Sequence, residues 1–337
     1  MAAAGAYVLG CEGPVLSARE RAFFRDADPW GFILFARNIE DPAQLRRLTA
    51  DLRDSLGRDA PVMIDQEGGR VQRLRPPHWR RWDDARDQIT RAGPARAARS
   101  MYLRHRLMAH EMRAVGIDTN CAPVADLAGD QTHPFLEYRC YGSQVARVVA
   151  IARAVAEGCL DGGVLPVMKH LPGHGRGNAD THLNLPVVGA DAETLRQTDF
   201  APFRALADLP MGMSAHVIFA AYDPVSPATQ SAAVIDAIRQ EIGFHGLLLS
   251  DDLSMEALSG DIAHRATRAV AAGCDIALHC NGKLDEMQAV AAALGPMTAA
   301  AADRAAAALS RRHLPDPIDI GALEAELEAL LSGPEHV

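Results

Sequence analysis

Short apolar runs rich in branched side chains alternate with amphipathic stretches along the whole 337-residue chain. Eight such runs stand out: "AYVLG" from Ala6, "GFILFAR" from Gly31, "PVMID" from Pro61, "IDTNCAPV" from Ile117, "GVLPVMKH" from Gly163, "MGMSAHV" from Met211, "GLLLSDD" from Gly246 and "CDIALHC" from Cys274. Parallel strands covered on both faces are apolar almost throughout, and the segments joining them carry helical periodicity. The alternation therefore predicts an α/β fold with a parallel sheet, and eight strands close a (β/α)8 TIM barrel. A doubly wound open sheet is the competing architecture. It usually carries a glycine-rich phosphate turn after its first strand, and "LGCEGP" lacks GxGxxG.

The intervening segments carry helix signals. "DPAQLRRLTADLRDSLG" offers Asp41 as N-cap, Pro42 at the first helical position and Gly57 as a stop. "SQVARVVAIARAVAEG" and "SAAVIDAIRQEIG" repeat the pattern with a leading Ser and a trailing Gly. From Pro296 onward the chain is Ala-rich and then acidic-amphipathic ("GALEAELEALL"), which predicts terminal helices packed on the barrel over about 296–337. No repeat, linker or charge block marks a boundary, so residues 1–337 are expected to form a single catalytic barrel domain.

Composition narrows the function classes. With 48% hydrophobic and 23% charged residues, the chain has the apolar content of a globular protein. A net charge of -9 argues against nucleic-acid and anionic-membrane binding, and clusters such as "RRW" read as solvated surface. The six cysteines show no CxxC or zinc-ribbon spacing and are expected to be buried free thiols. "MAAAGAYVLGCEGP" lacks a basic n-region and a long apolar h-region, and no run reaches the ~18 apolar residues of a membrane span. A cytoplasmic protein is expected, acting as a monomer.

In a barrel the chemistry gathers at the C-terminal ends of the strands. The third run ends in "DQEGGRVQR" (Asp65, Glu67, Arg70, Arg73), the fifth in Lys169 and His170, the sixth in His216, and the seventh in Asp251 and Asp252. Burying such groups costs several kcal/mol each unless they are paired or sit in a wet cleft, so together they imply a polar pocket. Taken singly they have plainer readings: Glu67 and Arg70 as a solvated pair at a Gly-Gly turn, Cys140 and His216 as core residues, and one of the two aspartates as an N-cap for "LSMEAL". Asp252 is assigned that structural role and Asp251 the catalytic one. After the fifth run comes "KHLPGHGRGNADTH", Lys169 to His182, whose proline and three glycines exclude a helix and leave a long polar loop.

"DQEGGRVQR", "KHLPGHG…ADTH" and "LLLSDDLSM", in this order, closely resemble glycoside hydrolase family 3, specifically its single-domain bacterial β-N-acetylhexosaminidases of peptidoglycan recycling. "ILFARNIEDPAQL", "CAPVADL" and "AHVIF" agree, so the resemblance extends from about the second strand to the seventh. It implies a retaining mechanism with Asp251 as nucleophile and His182 as acid/base, assisted by Asp180. With only Thr181 between them, an extended segment can point both side chains the same way. The implied sugar-binding residues are Asp65, Arg73, Arg139 in "LEYRCYG", Lys169 and His170. The implied substrate is N-acetylglucosamine β-linked to 1,6-anhydro-N-acetylmuramic acid, with no cofactor. Leu171, Thr181 and "RGN" depart from the family pattern but leave the Asp180/His182 spacing intact.

Rival chemistries are a metal-dependent hydrolase on His170, His174 and His182, a Schiff-base lyase on Lys169, and a barrel that only binds sugar. The histidine spacing fits no familiar zinc pattern, so no metal is expected. The lyase leaves Asp251 and the Asp180/His182 pair without work. A phosphorolytic variant stays open, because a histidine acid repels phosphate less than a carboxylate would.

Overall fold

The computed structural model describes residues 4–177 and 185–332. Eight strands, β1 (Gly5–Leu9), β2 (Pro29–Leu34), β3 (Val62–Ile64), β4 (Thr119–Asn120), β5 (Leu165–Leu171), β6 (Met211–Ser214), β7 (Leu247–Asp252) and β8 (Ile276–His279), pair in parallel and in chain order. β8 returns to β1, with Tyr7 opposite Ala277 and Leu9 opposite His279, and closes the barrel. Each apolar run of the sequence supplies one of these strands. A short ribbon, Val187–Val188 beside Ile218–Phe219, stands outside the barrel and was not anticipated.

Side-chain parity separates two layers. Ala6 and Val8 of β1, Leu165 and Val167 of β5, Leu247 and Leu249 of β7, and Ile276 and Leu278 of β8 share one cluster that fills the barrel. Tyr7 and Leu9, from the opposite face of β1, pack outward with Leu45, Leu48 and Leu52 of the first crossover helix. Continuing the inward parity to the C-terminal ends brings Asp65, Lys169 and Asp251 to the mouth. Two irregularities add neighbours. The β5–β6 register shifts between Lys169 and Leu171, and the β7–β8 register shifts between the pairs Ile276–Leu249 and Leu278–Asp252. An extra residue in a strand re-aims the side chains around it. His170 and Asp252 consequently line the same cleft as Lys169 and Asp251.

The helix Pro42–Leu56 is capped as its sequence predicts: the Asp41 carboxylate accepts from the Ala43 and Gln44 N–H groups, and Gly57 ends the helix at φ 64°. Ser231 likewise caps Ala232–Gln240 by accepting from Val234 N–H. The predicted stop at Gly158 is corrected. That helix runs from Val145 to Asp161, with Gln144 rather than Ser143 at its N-cap, straight through Gly158. A Cβ at Gly158 would lie 2.5 Å from the Tyr102 carbonyl oxygen, so the glycine serves close packing against the helix Ala97–Arg113 rather than termination.

At the C-terminal end, the helix Ala299–Leu309 buries Ala301, Ala305 and Ala308 with the barrel-filling cluster. The helix Ile320–Ser332 seats Leu327 among Trp82, Leu103, Leu107 and Met108. The "RRW" stretch is therefore not all solvated surface: Trp82 is buried and Arg80 pairs with Glu324 at 2.7 Å. All six cysteines are free and buried. Among the described residues no helix is long and apolar enough to cross a membrane.

His105, on the helix Ala97–Arg113, is buried with Nδ1 3.0 Å from the Met101 carbonyl oxygen. Burial, reinforced by the Arg104 charge, pushes its pKa from 6.5 down to about 3. The folded state resists a proton that the unfolded chain accepts below pH 6.5, so stability falls with pH from there toward pH 3. By pH 5 the loss from this group is about 2 kcal/mol. Urea unfolding of wild type and His105→Leu at neutral pH and at pH 5 measures it. The variant is expected to lose less stability on acidification by that amount, and equal losses would show that the buried imidazole is not the origin.

Candidate active site

The cleft at the C-terminal mouth of the barrel measures about 820 Å³, its open entrance included. Ile33, Met213 and Leu278 form its floor, Phe35, Phe135 and Met255 line its walls, and its polar groups are Asp65, Arg73, His133, Arg139, Lys169, His170, His174, Asp251 and Asp252. An apolar frame around a few converging polar groups suits a small hydroxylated ligand.

Lys169, at the end of β5, lies between two carboxylates, 2.9 Å from Asp65 Oδ1 and 2.6 Å from Glu67 Oε1. Arg73 reaches the other oxygen of Asp65 at 3.1 Å. Arg139 grips Glu67 with two parallel bonds, Nε to Oε2 at 2.9 Å and Nη2 to Oε1 at 2.8 Å. Burial alone would raise the pKa values of Asp65 and Glu67, but Lys169, Arg73 and Arg139 more than reverse it. Asp65 is held well below the carboxylate range and Glu67 falls to about 2. Burial would likewise lower Lys169, yet the Asp65 and Glu67 charges push it above its ordinary value.

Glu67 corrects the sequence reading. It does not pair with Arg70, whose backbone N–H instead donates to Asp84, and it is the anchor of Arg139 and Lys169. Its own backbone is held from beneath by the buried Arg104, which donates to the Glu67 carbonyl through Nε and Nη2, to the Asp83 carbonyl and to Gln88 Oε1. The Arg104 guanidinium passes so close to Gly68, at φ 102°, that a Cβ there would sit 1.8 Å from Nη2. The Gly-Gly turn is thus required by the arginine below it as well as by its own backbone.

Asp252 takes a structural role, with one correction to the sequence reading. Asp252 Oδ1 accepts from the N–H groups of Ser254 and Cys280 at 3.0 and 3.1 Å, and Oδ2 accepts from the Ser254 hydroxyl at 2.7 Å. It fixes a turn, because no helix forms over residues 253–258. Among the described residues Asp251 accepts one bond, from the Asp252 N–H at 2.8 Å. Burial would raise its pKa, but His216, His170, that N–H and Lys169 outweigh burial and hold it below the usual value. A half-buried carboxylate kept anionic beside a ligand-sized cleft is chemically equipped to attack an electrophilic carbon. His216 is buried outside the cleft, bonded to Thr229 Oγ1 and the Asp252 carbonyl, in keeping with its core reading.

The structure therefore brings together Asp65, Arg73, Arg139, Lys169, His170 and Asp251 in one cleft. Asp180 and His182 lie outside the described residues. Asp126 was missed: its carboxylate is fully buried beneath His170. The signal was present, since Asp126 ends the fourth apolar run, "CAPVAD", as the other polar residues end theirs. Among the described residues no group of three His, Cys, Asp or Glu side chains is placed to hold a metal ion.

The profile "Glycosyl hydrolase family 3 N terminal domain" matches residues 16–311. A Beta-hexosaminidase of Alkalilimnicola ehrlichii is 38% identical over 319 residues, 93% of this chain and 85% of the relative. A Beta-hexosaminidase of Pseudomonas aeruginosa is 37% identical over 293 residues, 86% of each chain. Among solved structures, NagZ from Neisseria gonorrhoeae in complex with N-trifluoroacetyl-D-glucosamine superposes with a TM-score of 0.87 at 29% identity, covering 98% of this chain and 99% of that one.

Proposed function

The chain belongs to glycosyl hydrolase family 3 and is a glycoside hydrolase, and from that premise we propose that it is a retaining exo-β-N-acetylglucosaminidase acting on muropeptides in cell-wall recycling. A single barrel domain, working as a cytoplasmic monomer, removes terminal N-acetylglucosamine β-linked to 1,6-anhydro-N-acetylmuramic acid. The observation that carries the reading is Asp251: a half-buried anionic carboxylate facing the cleft in which Asp65, Arg73, Arg139, Lys169 and His170 converge. Asp65 offers a carboxylate acceptor, Arg73, Arg139 and Lys169 offer cationic donors and His170 an imidazole, the complement of a ring of hydroxyls. The Beta-hexosaminidase relatives and the glucosamine derivative bound by the gonococcal structure support an aminosugar in that cleft.

In the proposed reaction Asp251 attacks the anomeric carbon as the glycosidic oxygen leaves with a proton from His182, itself oriented by Asp180. Water, deprotonated by His182, then resolves the glycosyl-enzyme intermediate. Lys169 argues against the Schiff-base alternative. Its ammonium is held between two carboxylates that raise its pKa, whereas imine formation needs the neutral amine.

The test is release of 4-nitrophenol from the β-N-acetylglucosaminide and from the β-glucoside, with and without phosphate. The anomer formed from the aminosugar is followed by NMR. Turnover of the aminosugar alone, independent of phosphate and giving the β-anomer first, is expected. The α-anomer first would overturn the double-displacement mechanism, phosphate dependence would replace hydrolysis by phosphorolysis, and preference for the glucoside would overturn the substrate class.

A further inference from the structure

Beneath the sugar-binding groups lies an arrangement that the proposed mechanism does not use. Asp126, on the segment following β4, is completely buried. Its Oδ2 lies 2.6 Å from His170 Nδ1, while Oδ1 accepts from the His174 N–H at 2.7 Å and the His170 N–H at 3.3 Å. On the far side of the imidazole, His170 Nε2 lies 3.4 Å from Arg139 Nη2. Burial would raise Asp126, but the His170 ring, the His174 ring and the His174 N–H lower it, so it is the anion.

These contacts determine where the ring proton sits. An ionised carboxylate only accepts, so Nδ1 carries the hydrogen; a guanidinium only donates, so Nε2 carries the lone pair. We propose that Asp126 is a positioning residue that fixes His170 as the Nδ1–H tautomer, so that the ring presents an acceptor rather than a donor to the sugar. The inference rests on the reading of the cleft as a sugar site. It reverses the donor role that the residue type alone suggests for His170, and it divides the recognition set. Arg73, Arg139 and Lys169 donate to ligand oxygens, while Asp65 accepts from ligand hydroxyls, as does His170 Nε2 when a hydroxyl displaces its long 3.4 Å contact with Arg139 Nη2.

The two oxygens of Asp126 have separate tasks, which makes the idea testable by one isosteric change. In Asp126→Asn the amide oxygen can keep both backbone N–H bonds at the Oδ1 position while the amide nitrogen replaces Oδ2. That nitrogen donates, so His170 must accept at Nδ1 and carry its hydrogen on Nε2, facing the Arg139 donors. A structural role would survive the change, whereas the tautomer would not. Asp126→Asn is expected to lower kcat/KM for 4-nitrophenyl β-N-acetylglucosaminide by about 100-fold. This is less than the loss from a wrong tautomer in a proton-transferring histidine, because His170 only binds. In a His170→Ala background the same change is expected to cost no more than about 2-fold, since the residue acts through the ring.

A second arm needs no substrate. Two-bond ¹H–¹⁵N correlation spectra at about pH 8, with His170 assigned by the signal missing from His170→Ala, distinguish the tautomers. Nδ1–H in wild type and Nε2–H in Asp126→Asn are expected. Nε2–H in wild type, an unchanged tautomer in the variant, or an equal activity loss with and without His170 would each overturn the proposal. If wild type releases no 4-nitrophenol, the glycosidase reading of the cleft fails, and the spectra still decide the tautomer.

Discussion

Asp251→Ala is expected to lower kcat for 4-nitrophenyl β-N-acetylglucosaminide by about 10⁴-fold or more while leaving the barrel folded. Among the described residues the side chain accepts a single bond, from the Asp252 N–H. The neighbouring turn is held independently by Asp252 through Ser254 and Cys280, so truncation removes chemistry and little structure. The space vacated by the carboxylate is open to a small anion from the cleft. Azide is therefore expected to restore part of the turnover and to yield the α-glycosyl azide, the configuration produced by one displacement rather than two. Measuring kcat with and without azide, alongside thermal unfolding, checks both parts. A folded variant that keeps more than a hundredth of wild-type turnover would remove Asp251 from the role of nucleophile.

Lys169→Met is expected to reduce both stability and activity. The buried ammonium bridges Asp65 and Glu67, and its removal leaves two inward-facing carboxylates with Arg73 and Arg139 as their remaining counter-charges. Breaking a buried pair from one side costs about 3 kcal/mol, because the other charge stays behind uncompensated. The pH dependence tests this cause. In wild type, Glu67 titrates near pH 2 instead of 4.5, so its contribution is complete above pH 4.5 and is lost as pH falls toward 2. Without Lys169 the pKa values of Glu67 and Asp65 rise, and protonation relieves the variant before it harms wild type. The stability deficit is therefore expected to shrink between neutral pH and about pH 4.5, and Lys169→Met/Glu67→Gln is expected to be more stable than the single variant. Urea unfolding at both pH values measures it. A deficit that does not change with pH would assign the loss to packing of the lysine stem.

Most of the site was legible as position rather than partnership. Each polar residue at the end of an apolar run could be placed at the barrel mouth, because the β/α alternation alone implies where strand ends gather. The partners of Glu67 were not legible, because its neighbour in sequence, Arg70, is a plausible local partner, whereas its actual partners lie 72 and 102 positions away, counted from the residue numbers of Arg139 and Lys169. Gly158 was misread for the same reason: a trailing glycine is a local stop signal, but here the crowding comes from Tyr102 on another helix. Asp126 ended its run as plainly as the others, and only its burial under His170 distinguishes it.

The sequence by itself determined the eight strands, their parallel order, the family motifs and the concentration of charge at one end of the barrel. All of these follow from local periodicity and residue type. The tertiary structure alone decided which side chains face inward and which charges meet. Strands covered on both faces are apolar at odd and even positions alike, so the apolar pattern of "GLLLSDD" does not show which aspartate is in phase with the barrel interior. Closure of the barrel sets that choice by filling the interior with Leu247 and Leu249, in phase with Asp251. The register shifts in β5 and β7 then carry His170 and Asp252 into the same cleft. Ion pairing there is decided by distance across the closed ring, which local sequence patterns do not encode.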